Sequence, residues 1–295
     1  MKKYIFATFL FGLFTVLFGV QRGIAAGPWQ WEMTLQETDG GSVMLLPTAI
    51  HVDPILERYY VVDSGKNRLL TFDRAGGFFK TFTASNQLKK PYDLVREQGI
   101  LWLVEKERNS LTRIDLKAKK ITPKIITDQD RVVYPDRIEL HKEFVYLLDK
   151  ATGAVLALDK KNLQVTGRFT CSDCDNGFVD FKLRNGKLWA LEQSNKAVYK
   201  FSYDGVLEEL IQLDPAALDF PRSIEIDESG FLYILDRHKG QVGVFDFRGR
   251  FKYSLFEAGQ ARGKLYYPIE VKFDPWGRLC IVDEGNGRVQ VFSRR

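Results

Sequence analysis

A short segment, usually with proline at its start, recurs along this chain at a nearly constant interval. Leu46-Pro47-Thr48-Ala49-Ile50 is echoed by Lys90-Pro91-Tyr92-Asp93-Leu94 and by Tyr134-Pro135-Asp136-Arg137-Ile138. Further copies are Gly177-Phe178-Val179-Asp180-Phe181, Phe220-Pro221-Arg222-Ser223-Ile224 and Tyr267-Pro268-Ile269-Glu270-Val271. The starts at 47, 91, 135, 178, 221 and 268 lie 44, 44, 43, 43 and 47 residues apart. Such a period marks a chain built from copies of one small unit, each unable to bury its apolar face alone.

Every copy has the same internal order. A short apolar strand follows the proline position, then a turn, then a second strand ending in an acid. Those acids are Asp63, Glu105, Asp149, Glu192, Asp236 and Asp283. A loop of about four residues leads to a third strand, such as Arg288-Val289-Gln290-Val291-Phe292, and a Gly- or Lys-rich turn leads to a fourth. No amphipathic helix is evident within the repeats. Four strands per period, six times over, predict an all-β fold: a six-bladed β-propeller of four-stranded blades. The sixth copy ends after its third strand. Trp29-Gln30-Trp31-Glu32-Met33-Thr34-Leu35 alternates as a strand does and is expected to pair beside Val289–Phe292, joining first and last blades.

The repeat also resembles a known family. Asp63-Ser64-Gly65-Lys66-Asn67-Arg68 and Asp283-Glu284-Gly285-Asn286-Gly287-Arg288, each leading into a strand, are similar to the NHL repeat. The resemblance covers roughly residues 45–295. Copies two to five depart from it, with Ser110, Ala154, Ala197 and Gln241 in place of the arginine. It implies a six-bladed propeller and leaves activity open, because NHL-like propellers include protein-binding scaffolds, RNA-binding modules and lyases. Calcium-dependent lactonases share the architecture. A fold of this kind hosts many functions.

Residues 1–26 have the layout of a secretory signal peptide. Lys2 and Lys3 precede an uncharged run from Tyr4 to Val20, and Gly23-Ile24-Ala25-Ala26 offers a cleavage site. Retention as a membrane anchor is the alternative. With the leader removed, residues 27–295 are expected to form one domain, monomeric, without a membrane span, and periplasmic or secreted. The chain has 43 basic and 38 acidic residues. Loss of Lys2, Lys3 and Arg22 leaves 40 against 38, which gives no support for nucleic-acid binding.

The second residue after each blade-start position is expected near the mouth of the axial channel: Ala49, Asp93, Arg137, Asp180, Ser223 and Glu270. The preceding loops bring Tyr92, Asp136 and Arg222 nearby. Tyr92, Asp93, Asp136, Arg137, Asp180, Arg222 and Glu270 are therefore the expected binding residues. Asp93, Asp180 and Glu270 offer oxygens to a hard cation such as calcium, whereas Arg137 neutralises neighbouring acids by itself. A salt-bridged channel is the competing expectation. The strand-ending acids are expected to cap loop amides rather than to catalyse. His51, His141 and His238 come from different blades and heights, a poor match to the histidine-rich metal centre of the lyase branch. Neither a catalytic set nor a metal site can be assembled, and no cofactor is expected. Cys171-Ser172-Asp173-Cys174 is expected to close as a disulfide, with Cys280 alone and buried. Lysines and arginines of the loops between second and third strands would form a mildly basic rim. The leading expectation is a non-enzymatic propeller that binds a protein or peptide on its loop-rich face. The alternative is a metal-assisted lactonase or lyase using the channel mouth.

Overall fold

The computed structural model describes residues 28–36 and 43–294. The expected leader lies outside the described residues. Six four-stranded antiparallel sheets carry nearly all of the secondary structure. Blade 1 begins with the strand Pro47–Asp53, blade 2 with Pro91–Glu97 and blade 3 with Pro135–His141. Blades 4, 5 and 6 begin with Phe178–Arg184, Pro221–Ile226 and Glu270–Phe273. Each first strand contacts the first strands of both neighbouring blades, so these six strands line the axis. Among the described residues the only helices are three 3-10 turns, each of three residues.

Closure is as expected. Trp29–Leu35 pairs antiparallel with Arg288–Arg294 and supplies the outer strand of blade 6. The register runs from Trp29 opposite Arg294 to Leu35 opposite Val289, with one irregularity between Trp31 and Met33. Leu35 is fully buried and packs between blades 6 and 1 with Val289, Val291, Tyr59 and Phe72. The rest of the core follows this arrangement, because each apolar cluster fills the space between two neighbouring sheets. That explains why strand centres such as Val61-Val62 and Leu147-Leu148 are apolar on both faces: each face meets another blade. No helix among the described residues is long and apolar enough to cross a membrane.

The strand-ending acids do cap their loops. Glu192 accepts the amides of Ser194 and Asn195 at 2.8 and 2.5 Å. Asp236 accepts those of His238 and Lys239 at 3.1 and 2.9 Å. They do more than local spacing suggests. Asp63 also holds the Leu45 and Leu46 amides, and Asp236 those of Asp219 and Phe220. Asp149, which accepts the Tyr134 and Ala151 amides, and Asp236 thus tie the loop before their blade to the loop after its second strand.

Candidate functional site

The residues expected at the channel mouth do converge on the axis, and their bonding follows one rule. A polar side chain on the first strand of one blade accepts a backbone amide from the first strand of the next. Asp93 accepts from Ile138 at 3.0 Å, Asp180 from Ile224 at 3.0 Å and Glu270 from Ile50 at 2.8 Å. The Ser223 hydroxyl accepts from Val271 at 3.2 Å. Two positions cannot follow the rule: Ala49 has no acceptor and Arg137 has only donors. At the blades after them the acid turns back on itself. Asp93 accepts the Leu94 amide at 2.7 Å, and Asp180 the Phe181 amide at 2.9 Å. Two residues further along the strands the pattern repeats, with His51 Nε2 accepting the Arg96 amide at 3.3 Å and Glu225 accepting that of Phe273 at 3.3 Å.

The counter-charges lie inside the same wall. Lys182, which was not among the residues singled out in the sequence, is buried with its ammonium 3.5 Å from Asp180, 3.8 Å from Glu270 and 3.9 Å from Glu139. Arg137 is buried and donates to the carbonyls of Thr48 and Ile269 at 3.2 and 3.3 Å. Burial pushes Asp180 up, but Lys182, Arg137, the Ser223 hydroxyl and the Ile224 amide outweigh it and hold it below the ordinary carboxylate value. Asp93 goes the other way: burial and the Glu270 carboxylate raise it to about 7 despite Arg137.

These contacts decide whether a calcium-like cation fits. Asp93, Asp180 and Glu270 already accept backbone amides, and the charge among Asp180, Glu270 and Glu139 is that of Lys182. No cluster of three or more His, Cys, Asp or Glu side chains suited to a metal occurs among the described residues. The trio does not fit a cation.

The mouth itself is bridged. Arg222 of blade 5 donates to the Tyr92 hydroxyl of blade 2 at 3.0 Å, to the Val179 carbonyl at 2.9 Å and to Asp136 of blade 3 at 3.4 Å. Lys106 holds Asp136 from the other side at 2.5 Å and lies 4.5 Å from the Tyr92 ring centroid. Arg222 and Lys106 pull the Asp136 carboxyl down to about 2, against the upward push of burial. Tyr92 and Arg222 are half-buried; Asp93, Asp136, Arg137, Asp180 and Glu270 are buried. Much of the expected basic rim is also engaged. Arg68 pairs with Asp63, Arg288 with Asp283, Lys239 with Asp219, and Arg237 with Glu284.

The loop face carries a feature that the motifs did not flag. Phe220 stacks on His238 with ring centroids 4.3 Å apart, His238 meets Tyr267 edge-on at 6.3 Å, and Tyr267 meets Tyr266 at 4.8 Å. Tyr266 and Tyr267 are 42% and 44% exposed, unusual for adjacent aromatics. Tyr267 also adopts a left-handed backbone conformation, φ 46°, which is rare for a bulky side chain. It is held there from both sides. Asp283 accepts the Tyr266 amide at 2.7 Å, and Arg237 donates to the Tyr267 carbonyl at 3.0 Å. The one signal in the sequence was the 47-residue spacing before the last blade, since the longer connection presents this pair. The three histidines stay apart: His51 is in the channel wall, His238 in this ladder, and His141 lies against Tyr203 at 4.4 Å.

Comparison with solved structures gives propellers. The chain is similar to virginiamycin B lyase from Staphylococcus aureus, with a TM-score of 0.62 and 16% identity over 84% of this chain and 80% of that one. A streptogramin B lyase gives 0.67 and 12% identity over 90% and 98%. A gluconolactonase from Xanthomonas campestris gives 0.67 and 14% identity over 86% and 87%. At these identities the likeness establishes the six-bladed fold. No family profile matches the chain, and no curated protein does.

Within the described residues, Cys171 and Cys174 are joined by a disulfide, and Cys280 is a buried free thiol between blades 6 and 1.

Proposed function

We propose that the protein is an exported binding propeller of the NHL type that recognises a protein or peptide partner on its loop face. The observation that carries this reading is the exposed ladder of Phe220, His238, Tyr267 and Tyr266. Tyrosine is enriched among residues that dominate binding energy, and a rigid aromatic loses little entropy on docking. Tyr267, fixed in a strained conformation, is preorganised to present its ring. Of the axial residues, Tyr92 and Arg222 are the two that a partner at the mouth can reach. The buried set of Asp93, Asp136, Arg137, Asp180 and Glu270 supports that surface from beneath.

The test is capture from an extracytoplasmic extract by protein without residues 1–26, compared with two variants. Tyr266→Ala with Tyr267→Ala should abolish capture while leaving the melting temperature close to that of the parent. Tyr92→Ala with Arg222→Ala should lower the melting temperature, because the bridge across the mouth is lost. Equal capture by the tyrosine variant would remove the proposal.

An enzymatic reading stands beside it, favoured by the structural neighbours, which are lyases and a lactonase rather than scaffolds. It needs chemistry other than a calcium trio, since Lys182 and Arg137 engage those carboxylates. Assays for lactone hydrolysis and streptogramin cleavage, with metal content measured on the same sample, address it directly. Turnover that tracks a stoichiometric metal would replace the binding proposal.

A further inference from the structure

A cleft of about 250 Å3 opens between blades 1 and 2, at the end of the blades opposite the loop face. Its walls are apolar: Leu56, Leu69, Phe79, Phe82, Leu101 and Leu116. Apart from Thr71, whose hydroxyl donates to the Lys80 carbonyl, its polar side chains are donors. The Arg58 guanidinium lies 3.4 Å from the Phe79 ring centroid and makes no hydrogen bond or ion pair among the described residues; its buried Nη1 is unpartnered. Arg96 pairs through Nη1 with Asp53, but its Nε is buried and has no acceptor. The Tyr60 hydroxyl lies on the same wall. Lys80 adds a cation at the rim. Asp53, the nearby carboxylate, is already taken by Arg96 and by the Ile55 and Leu56 amides.

Two buried donors without acceptors, Arg58 Nη1 and Arg96 Nε, face this apolar cleft and define what would complement it. Donors without acceptors cost free energy when buried, and an incoming acceptor recovers it. A guanidinium stacked on an aromatic ring keeps its edge free for a carboxylate, which it binds through paired N–H bonds. Arg58, Arg96 and Lys80 outnumber Asp53 and Asp73, the cross-strand neighbour of Arg58, so the cleft favours an anion over a neutral or cationic guest. Phe79 at 52% and Ile55 at 88% exposure extend the apolar surface outward from the donors. Pockets that hold drug-sized ligands start at about 300 Å3, which points to something smaller here. We infer that this cleft binds a small amphipathic carboxylate, its head group on Arg58, Arg96 and Tyr60 and its hydrocarbon body between Leu69, Leu101 and Phe82. The site shares no residue with the loop-face ladder, so the two proposals stand or fall separately.

Calorimetric titration with octanoate, octanol and octylamine at pH 7 tests it. Octanoate should bind at one site with a dissociation constant below about 1 mM, and the alcohol and amine more weakly. Arg58→Gln, in a half-exposed position, should weaken octanoate at least roughly tenfold, the effect of one charge-assisted hydrogen bond. Leu116→Trp should block the cleft and serves as a second variant, with circular dichroism confirming that each is folded. Octanoate that fails to saturate, binds no better than octanol, or is unaffected by Arg58→Gln in folded protein overturns the inference.

Discussion

Arg137 of blade 3 bypasses blade 2 and donates to the carbonyl of Thr48 in blade 1 at 3.2 Å, from a position buried within the axis. Its other terminal nitrogen reaches Ile269 of blade 6. One side chain therefore couples three blades that share no ladder hydrogen bonds. It does so at one of the two positions where the ring of amide-accepting side chains is interrupted, and the amide of Phe181 in the next blade is held instead by Asp180.

Arg137→Ala should accordingly be among the most damaging single changes. It leaves two carbonyls without donors and removes a positive charge that offsets Asp93, Asp180 and Glu270. Removing one partner of a buried charge network costs about 3–5 kcal/mol. Urea denaturation of the variant checks this. A loss below about 1 kcal/mol would show that water replaces the guanidinium and that the axis is wetter than its burial indicates.

Closure makes a second demand on stability. Trp29 is buried, meets Tyr233 edge-on at 6.5 Å and tilts over Phe273 at 5.9 Å, linking the outer strand of blade 6 to blade 5. Trp29→Ala should cost about 3 kcal/mol or more. Deleting Trp29–Leu35 should cost further, because it also exposes the edge of Arg288–Arg294. Trp31 is only half-buried, 4.1 Å from the Arg262 guanidinium, so Trp31→Ala should be the milder change. Thermal melts of the three variants in the order deletion, Trp29, Trp31 are the expected result; a deletion that melts with the parent protein removes the role of closure.

The architecture was legible because its period survives in local sequence: strand length, turn residues and the strand-ending acid repeat every 43–47 residues. The residues that reach the axis were legible for the same reason, since their position within each copy fixes their place on the first strand. Their partners were not. Asp180 accepts the Ile224 amide because of the stagger between two blades, and no spacing within either copy encodes that stagger. Lys182 was missed because an alternating strand gives the same sign to an exposed lysine and to one aimed down an axis. The ladder at Tyr267 was missed because stacking joins residues from three separate loops, and only the longer spacing before Pro268 marked the place.

The thiols should behave differently from one another. The Cys171–Cys174 bond closes a loop of minimal length, so in the chain-entropy account it stabilises little. Reduction should shift the melting temperature by no more than about 4 °C, since the chain-entropy account gives a loop this short at most about 2 kcal/mol. Cys280 is fully buried, and burial pushes its thiol well above the ordinary value, so it should resist alkylation until the protein unfolds. Mass spectrometry after iodoacetamide treatment, native and denatured, reads both. Prompt labelling of Cys280 in native protein would mean that the interface of blades 6 and 1 opens.

Acid titration should show two opposed groups in the channel wall. Burial and the nearby Lys272 ammonium hold His51 down to about 3, and its Nε2 is already an acceptor for the Arg96 amide. Between about pH 3 and its ordinary 6.5 the unfolded chain binds a proton at His51 that the folded one refuses, so stability rises with pH across that window. Asp93, raised to about 7, does the reverse. Between its ordinary value near 4 and about 7 the folded state holds the extra proton, so stability falls as pH rises. Each slope is about 1.4 kcal/mol per pH unit, and the two overlap from about pH 4 to 6.5. Asp136, Asp180 and Glu139 have lowered values, and their contribution is lost only as pH falls below about 4, outside the overlap. His51 and Asp93 therefore largely offset one another from about pH 4.5 to 6, and the remaining slope of the parent is set by His141, which burial lowers, and Asp283, which burial raises. Asp93→Asn should expose the histidine and become steadily less stable towards acid, whereas His51→Leu should expose the aspartate and become less stable towards neutral pH. The slope is read within each variant, so a uniform loss of stability does not obscure it. Two variants whose profiles run parallel to the parent would show that neither group titrates as the geometry of the wall requires.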